Sequence, residues 1–340
     1  MEEKLYKICI CPVKNEAWIL EKFIKVTSLW ADYIILANQN STDSTLEIAY
    51  KFSNVIVVNN PGNYNEFERT KLLVEEARKI GKRRLILALD ADEFLSANFL
   101  ESPEWDTLLN MPTGHLALIE RVNISPGTIN ISYFNPLQMI VGLMDDSLAK
   151  IENTSQSNIH NIRIPWPVGA KVWNFREIKI LHFDLIDYSR AKSKSRWYQC
   201  FEYLNNNLNP IEVRDKYSIN EKQIDFLKAN NTFPIKNEWI AGYSKLKIDI
   251  TSNLILGSYW WDEEVFELIE QYGARKFKYL NLEEVNWVQK AREKGRTDLN
   301  KYQTNRTFFE KVIYYLLHRK KRLSKTNIGQ YLLIKLMSII

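Results

Sequence analysis

Cysteine and histidine are scarce in this chain, and long apolar runs are missing. Three cysteines (Cys9, Cys11 and Cys200) in 340 residues make no disulfide framework and lack the spacing of a finger-type metal site. A disulfide-stapled secreted scaffold is thereby excluded, and a reducing, cytoplasmic setting is expected. No window offers the ~20 consecutive apolar residues that a membrane span needs. Met1 to Lys7 is charged and the apolar stretch after it is short, so no secretory leader is expected. No glycine-rich phosphate loop opens the chain. What is present is ordinary for a soluble protein: 45% hydrophobic and 26% charged residues. The length suits one large domain or two modest ones, with a substantial core.

Charge is unevenly placed. Residues 301–340 carry nine Lys/Arg against the single acid Glu310, a net +8. The other 300 residues hold 37 basic and 40 acidic side chains, a net −3. A near-neutral body and a basic tail are therefore expected.

The first half alternates between two periodicities. Tyr6–Cys11, Tyr33–Ala37, Val55–Val58 and Leu85–Leu89 read as short, continuously apolar strands. Between them lie helical patterns. Ile19, Phe23, Val26 and Trp30 recur at three-to-four spacing behind Asn15 as the expected N-cap. Leu46–Phe52 is a second helix, and Arg69–Lys79 a third, with Leu72, Leu73, Ala77 and Ile80 inward. Such an order predicts an α/β fold, a mostly parallel sheet flanked by helices on both faces. Ligands of these sheets sit beyond the carboxyl ends of the strands.

The fourth strand runs into Asp90-Ala91-Asp92-Glu93 at that edge. In extended geometry residues i and i+2 face the same way, so Asp90 and Asp92 are expected to address one ligand together. Two like charges this close raise each other's pKa unless a cation holds them ionised. Hard oxygen ligands suit Mg²⁺ or Mn²⁺ and leave positions open for phosphate oxygens. A solvated acidic turn capping a helix after Phe94 is the plainer alternative.

Pro12-Val13-Lys14-Asn15-Glu16 after strand one, the Asn38–Asp43 loop after strand two, Arg69 on the third helix and the acidic pair after strand four all belong to one edge. In this order they resemble the nucleotide-sugar-binding half of GT-A (Rossmann-like) fold glycosyltransferases, close to the family 2 type. The resemblance spans roughly residues 5 to 100 and continues more loosely through 180–198 and 259–265. It implies that Pro12, Asn15 and Glu16 line a nucleoside pocket, that Asp90 contacts ribose, and that Asp92 reaches a Mn²⁺ or Mg²⁺ ion under the diphosphate, with Asp90 close by. His182, a late histidine after a strand-like run, would touch that metal or the diphosphate. The second loop departs from the family's Asp-Asp-Gly-Ser-x-Asp pattern, reading Asn38-Gln39-Asn40-Ser41-Thr42-Asp43. An amide at Gln39 can still pair with a uracil edge through a donor and an acceptor, so a UDP-sugar is the favoured donor, and Asp43 is left to helix capping.

The implied reaction is an inverting sugar transfer from a nucleoside-diphosphate sugar to a glycan or lipid-linked acceptor, in bacterial surface polysaccharide synthesis. A metal would offset the charge growing on the diphosphate. Arg69, Lys194 and Arg196, the last two within the basic run Arg190, Lys192, Lys194, Arg196, are candidates to assist. Inversion needs a general base. Asp146 and Asp145 lead, because paired aspartates can shift one pKa upward; Glu120 and Glu152 stand in reserve. Residues 159–170, including His160, are expected to form a loop over the acceptor.

The organisation expected is a GT-A catalytic domain over 1–190, a helical aromatic-rich region over 191–300, and basic amphipathic C-terminal helices over 301–340. The Trp-rich second half reads as packing, with a helix through YWWDEEVFELIEQY ending at Gly273. Apolar faces beside Lys/Arg in the tail suit peripheral attachment to the inner face of an anionic membrane. Three other readings compete for the same residues. A phosphohydrolase with an aspartyl nucleophile normally places its Asp-x-Asp on the first strand, and a nucleotidyltransferase needs the missing Gly-rich loop. A glycan- or nucleic-acid-binding module leaves Asp90 and Asp92 unexplained, so no nucleic-acid partner is expected.

Overall fold

In the computed structural model the described residues are 4–61, 65–126, 131–148, 151–152, 162–206, 208–217, 233–251, 254 and 259–318. The chain divides into two compact units, one made of residues 1–187 and 230–256, the other of 188–229 and 257–340.

The first unit is α/β. Strands β1 (Leu5–Val13), β2 (Tyr33–Asn38), β3 (Val55–Asn59) and β4 (Arg83–Ala88) pair in parallel in the order β3-β2-β1-β4. Beyond β4 the sheet becomes mixed. Antiparallel β7 (Ile131–Asp145) lies against β4, then come β6 (Leu116–Pro126), β10 (Val172–His182) and the short β5 (Glu93–Leu95), while β8 (Ile151–Glu152) and β9 (Trp166–Pro167) pair with each other. The parallel part is therefore the predicted one, and the antiparallel part builds the second flank of the site.

Alternation along β1 separates two cores. Cys9, Cys11 and Val13 pack with Leu85, Leu87 and helices α1 (Leu20–Thr27) and α2 (Thr45–Ala49) on one face. Ile8 and Ile10 pack with Ile86, Ala88 and helix α3 (Glu66–Arg78) on the other. Period-two burial on both faces is what a helix-covered sheet requires. The strand continues through Pro12 instead of stopping there. Pairing with β4 ends at Ile10, so the ring's missing N–H removes no ladder bond on that side.

One local expectation changes. Asn15 does not cap α1; it adopts φ 55°, and the residue before the helix is Ile19, with no side-chain cap. The α3 cap is Asn65, whose side chain accepts from the Glu68 N–H at 3.2 Å. Strand β10 carries a bulge between Phe175 and Lys179. Glu104 on α4 (Pro103–Leu109) accepts the N–H groups of Arg176, Glu177 and Ile178 there, at 2.7, 2.7 and 3.0 Å. That satisfies donors the bulge takes out of the ladder and fixes where the end of β10 arrives.

The second unit is helical: α5 (Tyr188–Asn205), α6 (Trp260–Tyr272), α7 (Trp287–Glu293) and α8 (Phe308–His318). Its tryptophans pack, as the sequence suggested. Trp260 stacks on Trp261 at 4.7 Å and meets Trp197 edge-on at 5.7 Å. Helix α6 ends at Gly273 with φ 77°. Thr307 and Glu310 cap α8 reciprocally: the Thr307 N–H donates to Glu310 at 2.8 Å and the Glu310 N–H to the Thr307 hydroxyl at 3.3 Å. No helix among the described residues is long and apolar enough to cross a membrane. Residues 319–340, which hold most of the basic run and the terminal apolar stretch, lie outside the described residues, as do His160 and the side chain of Glu152.

Candidate metal and nucleotide site

The carboxyl ends of β1, β2 and β4 deliver three segments to one edge. The first two lock each other. Asn15 Oδ1 accepts from the Thr42 N–H at 2.6 Å, and the Asn15 N–H donates to the Ser41 hydroxyl at 3.0 Å. Asp43 accepts from the Ala17 N–H at 3.1 Å and from Thr45 N–H at 3.0 Å. The left-handed backbone at Asn15 and Asn40 (φ 52°) suits asparagine. Asp43 and Asn15 thus both take part in the framework that ties the two loops together. Glu16 accepts from the Trp18 indole at 2.6 Å. Gln39, 6% exposed, is held through its backbone by Val13 at 2.9 Å. Pro12 is half-buried on β1, and Arg69 sits half-buried on α3.

The third segment is the acidic one, and it is not extended. The Glu93 N–H donates to the Asp90 carbonyl at 2.9 Å, closing Asp90-Ala91-Asp92-Glu93 into a β-turn. The two aspartates therefore serve different partners. Asp90, 40% exposed, forms an ion pair with Arg163 at 2.7 Å. Asp92 is 5% exposed and faces His182, with Oδ1 3.7 Å from Nε2.

Main-chain pairing brings the histidine there. Antiparallel β5 and β10 place Glu93 opposite His182, and the Phe183 N–H donates to the Asp92 carbonyl at 2.8 Å. Phe94 and Phe183 pack edge-on at 5.1 Å beneath this junction. His182 Nδ1 lies 2.8 Å from Asn123 Oδ1 on β6. An amide oxygen accepts, so Nδ1–H donates to Asn123 and the ring is held with Nε2 toward Asp92.

Asp92, His182 and Asp184 present one ligand atom each, all within 4.8 Å of one another. Ligands on opposite sides of one ion lie roughly 4.2 Å apart for bonds of about 2.1 Å, so small side-chain adjustments fit the three around a single cation. Two carboxylates with one imidazole favour Mn²⁺ over Mg²⁺, which prefers oxygen alone. Asn123 is the outer partner that fixes the histidine's tautomer and ring. Of the residues proposed from sequence as metal ligands, Asp92 and His182 come together; Asp90 pairs with Arg163, and Asp184 supplies the third donor atom of the group.

No family model matches the chain, and no curated protein does. Among solved structures, the chain resembles glucosyl-3-phosphoglycerate synthase from Mycobacterium tuberculosis in complex with Mn²⁺, UDP and glucosyl-3-phosphoglycerate, at 21% identity and TM-score 0.25. That match covers 35% of this chain and 44% of that one, so this chain spans less than half its length. S. aureus TarS 1–349 matches at 12% identity and TM-score 0.36, over 94% of this chain and 92% of that one. HddC from Yersinia pseudotuberculosis, complexed with GMP-PN, matches at 8% identity and TM-score 0.32, over 52% and 93%. Likenesses this weak leave the site's own geometry to carry the functional reading.

Asp145 and Asp146 require a correction. Asp145 pairs with Arg84, at the start of β4, six residues before Asp90. That is about 20 Å of strand and the opposite edge of the sheet. Asp145 is also fully buried between two guanidiniums, 2.7 Å from Arg78 and 2.8 Å from Arg84. Burial alone would raise its pKa, but the two arginines outweigh it and hold the carboxyl below its usual value. A buried carboxylate paired with two arginines, at the opposite edge from Asp90 and Asp92, is not placed to serve that site as a base. Asp146, beside it, accepts from the Leu148 N–H at 2.9 Å. Glu120 is held by Lys179 at 2.9 Å.

Arg196 also has other work, in the second unit. Its guanidinium grips Asp262 at 2.9 and 2.8 Å and reaches Glu284 at 3.4 Å, with 7% exposure. Lys194 lies 5.9 Å from the Trp261 ring centroid. Sequence reasoning missed Asn123, Asp184, Arg121 and Arg163. Asp184, two residues after His182, repeats the i, i+2 spacing of the acidic pair and could have been noticed; the others come from distant segments with no local signature.

Proposed function

We propose that the protein is a glycosyltransferase that moves a sugar from a nucleoside-diphosphate donor, with Mn²⁺ bound by Asp92, His182 and Asp184. The observation that carries this reading is the convergence of those three donors beside Asp90, at the carboxyl edge where such sheets take ligands. When bound, the ion would offset negative charge developing on the departing diphosphate. The residues prepare that position. Asn123 keeps Nε2 of His182 available, Phe94 and Phe183 seal the floor, and Gln39 stands at the end of β2, where an amide can pair with a base edge. A UDP-sugar is the donor this amide favours, and inversion at a glycan or lipid-linked acceptor is the stereochemical course the family resemblance implies. An aspartyl-phosphate route is less suited, because Arg163 occupies the Asp90 carboxylate that would have to attack.

A screen of sugar nucleotides for binding and turnover, with and without Mn²⁺, tests the reading. Metal-dependent binding of one donor to the wild type, lost in Asp92→Asn, is expected; no nucleotide binding under any metal refutes it. Peripheral membrane attachment, part of the same proposal, is supported by Phe308 and Phe309 on α8, 79% and 77% exposed. Equal flotation with anionic liposomes by the wild type and a Phe308→Ser/Phe309→Ser variant would count against it.

A further inference from the structure

The loop residue Arg163 reaches into the acidic turn. Its guanidinium is 2.7 Å from Asp90 and also bonds Glu93. Glu93 is completely buried and is further held by the Asp90 N–H at 3.0 Å and by Arg121 at 3.4 Å. Burial would lower the Arg163 pKa, but Asp90, Glu93 and Asp92 together drive it upward, so the cation is permanent. Among the described residues, four carboxylates (Asp90, Asp92, Glu93, Asp184) and two guanidiniums (Arg121, Arg163) are linked through this turn and the donor group it adjoins. The sum is −2, the charge that one divalent ion cancels.

We infer that Arg163 is an electrostatic positioning residue, which pairs with Asp90 and leaves the metal-loaded site neutral, so that an anionic diphosphate can approach it. This rests on the metal site proposed above. Without Arg163 the cluster would carry −3. Asp90 would lose its neutralising ion pair, and the loaded site would repel phosphate oxygens. The two ligands must therefore respond in opposite directions: the cation binds more tightly and the nucleotide less tightly. A merely structural arginine would weaken both when removed.

The experiment measures Mn²⁺ affinity by electron paramagnetic resonance for the wild type, Arg163→Met, Arg163→Lys and the double variant Arg163→Met/Glu93→Gln. UDP, GDP, CDP and ADP binding is then measured at saturating Mn²⁺, with circular dichroism reporting the fold. Arg163→Met is expected to tighten Mn²⁺ on the order of tenfold, from the loss of one unit charge near a divalent ion, and to weaken nucleotide binding at least as much. Arg163→Lys keeps the charge and is expected to hold Mn²⁺ affinity within about threefold of wild type. The double variant restores the net −2 and is expected to do the same; it also strands no buried carboxylate, so it and the Lys variant decide the matter if Arg163→Met does not fold. Mn²⁺ and nucleotide weakening together in a folded Arg163→Met, or a double variant that fails to recover, overturns the inference. A wild type that binds Mn²⁺ but no nucleotide sinks the transferase reading while the Mn²⁺ series still decides the role of Arg163. A wild type that binds no Mn²⁺ overturns both.

Discussion

Asp145→Asn separates stability from function most sharply. In the folded protein Asp145 accepts from Arg78 at 3.2 and 2.7 Å and from Arg84 at 3.2 and 2.8 Å. Arg84 is itself fully buried, so the substitution leaves a guanidinium inside the protein without its counter-charge. Breaking a buried pair by removing one partner costs about 3–5 kcal/mol. Arg84 keeps hydrogen bonds to the carbonyls of Arg78 and Ile80 at 3.2 and 3.3 Å, which favours the lower half of that range. For a unit of this size each kcal/mol moves Tm by about 2–4 °C, so a loss of roughly 6–16 °C is expected by calorimetry. The pH dependence has a definite sign. The Asp145 pKa is lower folded than unfolded, so its stabilisation is complete above the unfolded value of 3.8 and fades as pH falls below it. The variant should therefore lose its stability deficit in acid. Mn²⁺ affinity, measured at a temperature where both proteins are folded, should be unchanged, because Asp145 lies at the other edge of the sheet. An unchanged Tm, or Mn²⁺ binding lost in a folded Asp145→Asn, would refute the reasoning.

Two more outcomes follow from the geometry. Asn123→Ala should weaken Mn²⁺ binding about 10–100-fold through loss of the outer hydrogen bond to His182, with little change in the circular dichroism spectrum; an unaltered affinity would remove Asn123 from the site. Glu310, whose carboxylate accepts from Thr307 and pairs with Arg275 at 2.6 Å and Lys278 at 3.0 Å, has its pKa lowered to about 2 despite partial burial. Helix α8 should thus keep this support above pH 4.5 and lose it as pH falls toward 2, read as hydrogen exchange in residues 308–318 that accelerates in acid for the wild type and is already fast at neutral pH in Glu310→Ala.

The four parallel strands, their helices and the edge at which a ligand belongs are legible in one dimension, because two- and three-to-four-residue periodicities are local properties. Asp92 and His182 were likewise visible, each as an acid or imidazole at the end of an apolar run. Which groups they meet depends on the assembled sheet. The turn at Asp90–Glu93 sends neighbouring aspartates to different partners, and the β5–β10 ladder, whose register no single segment encodes, sets Asp184 beside Asp92. Asp145 shows the same limit from the other side. A pair of aspartates at a strand end looks catalytic in one dimension, but antiparallel pairing of β7 carries it to the far edge, where two arginines 67 and 61 residues away in the chain make it a structural ion. Arg163 was illegible for the same reason, since a lone arginine in a loop acquires meaning only from the charges that folding places around it.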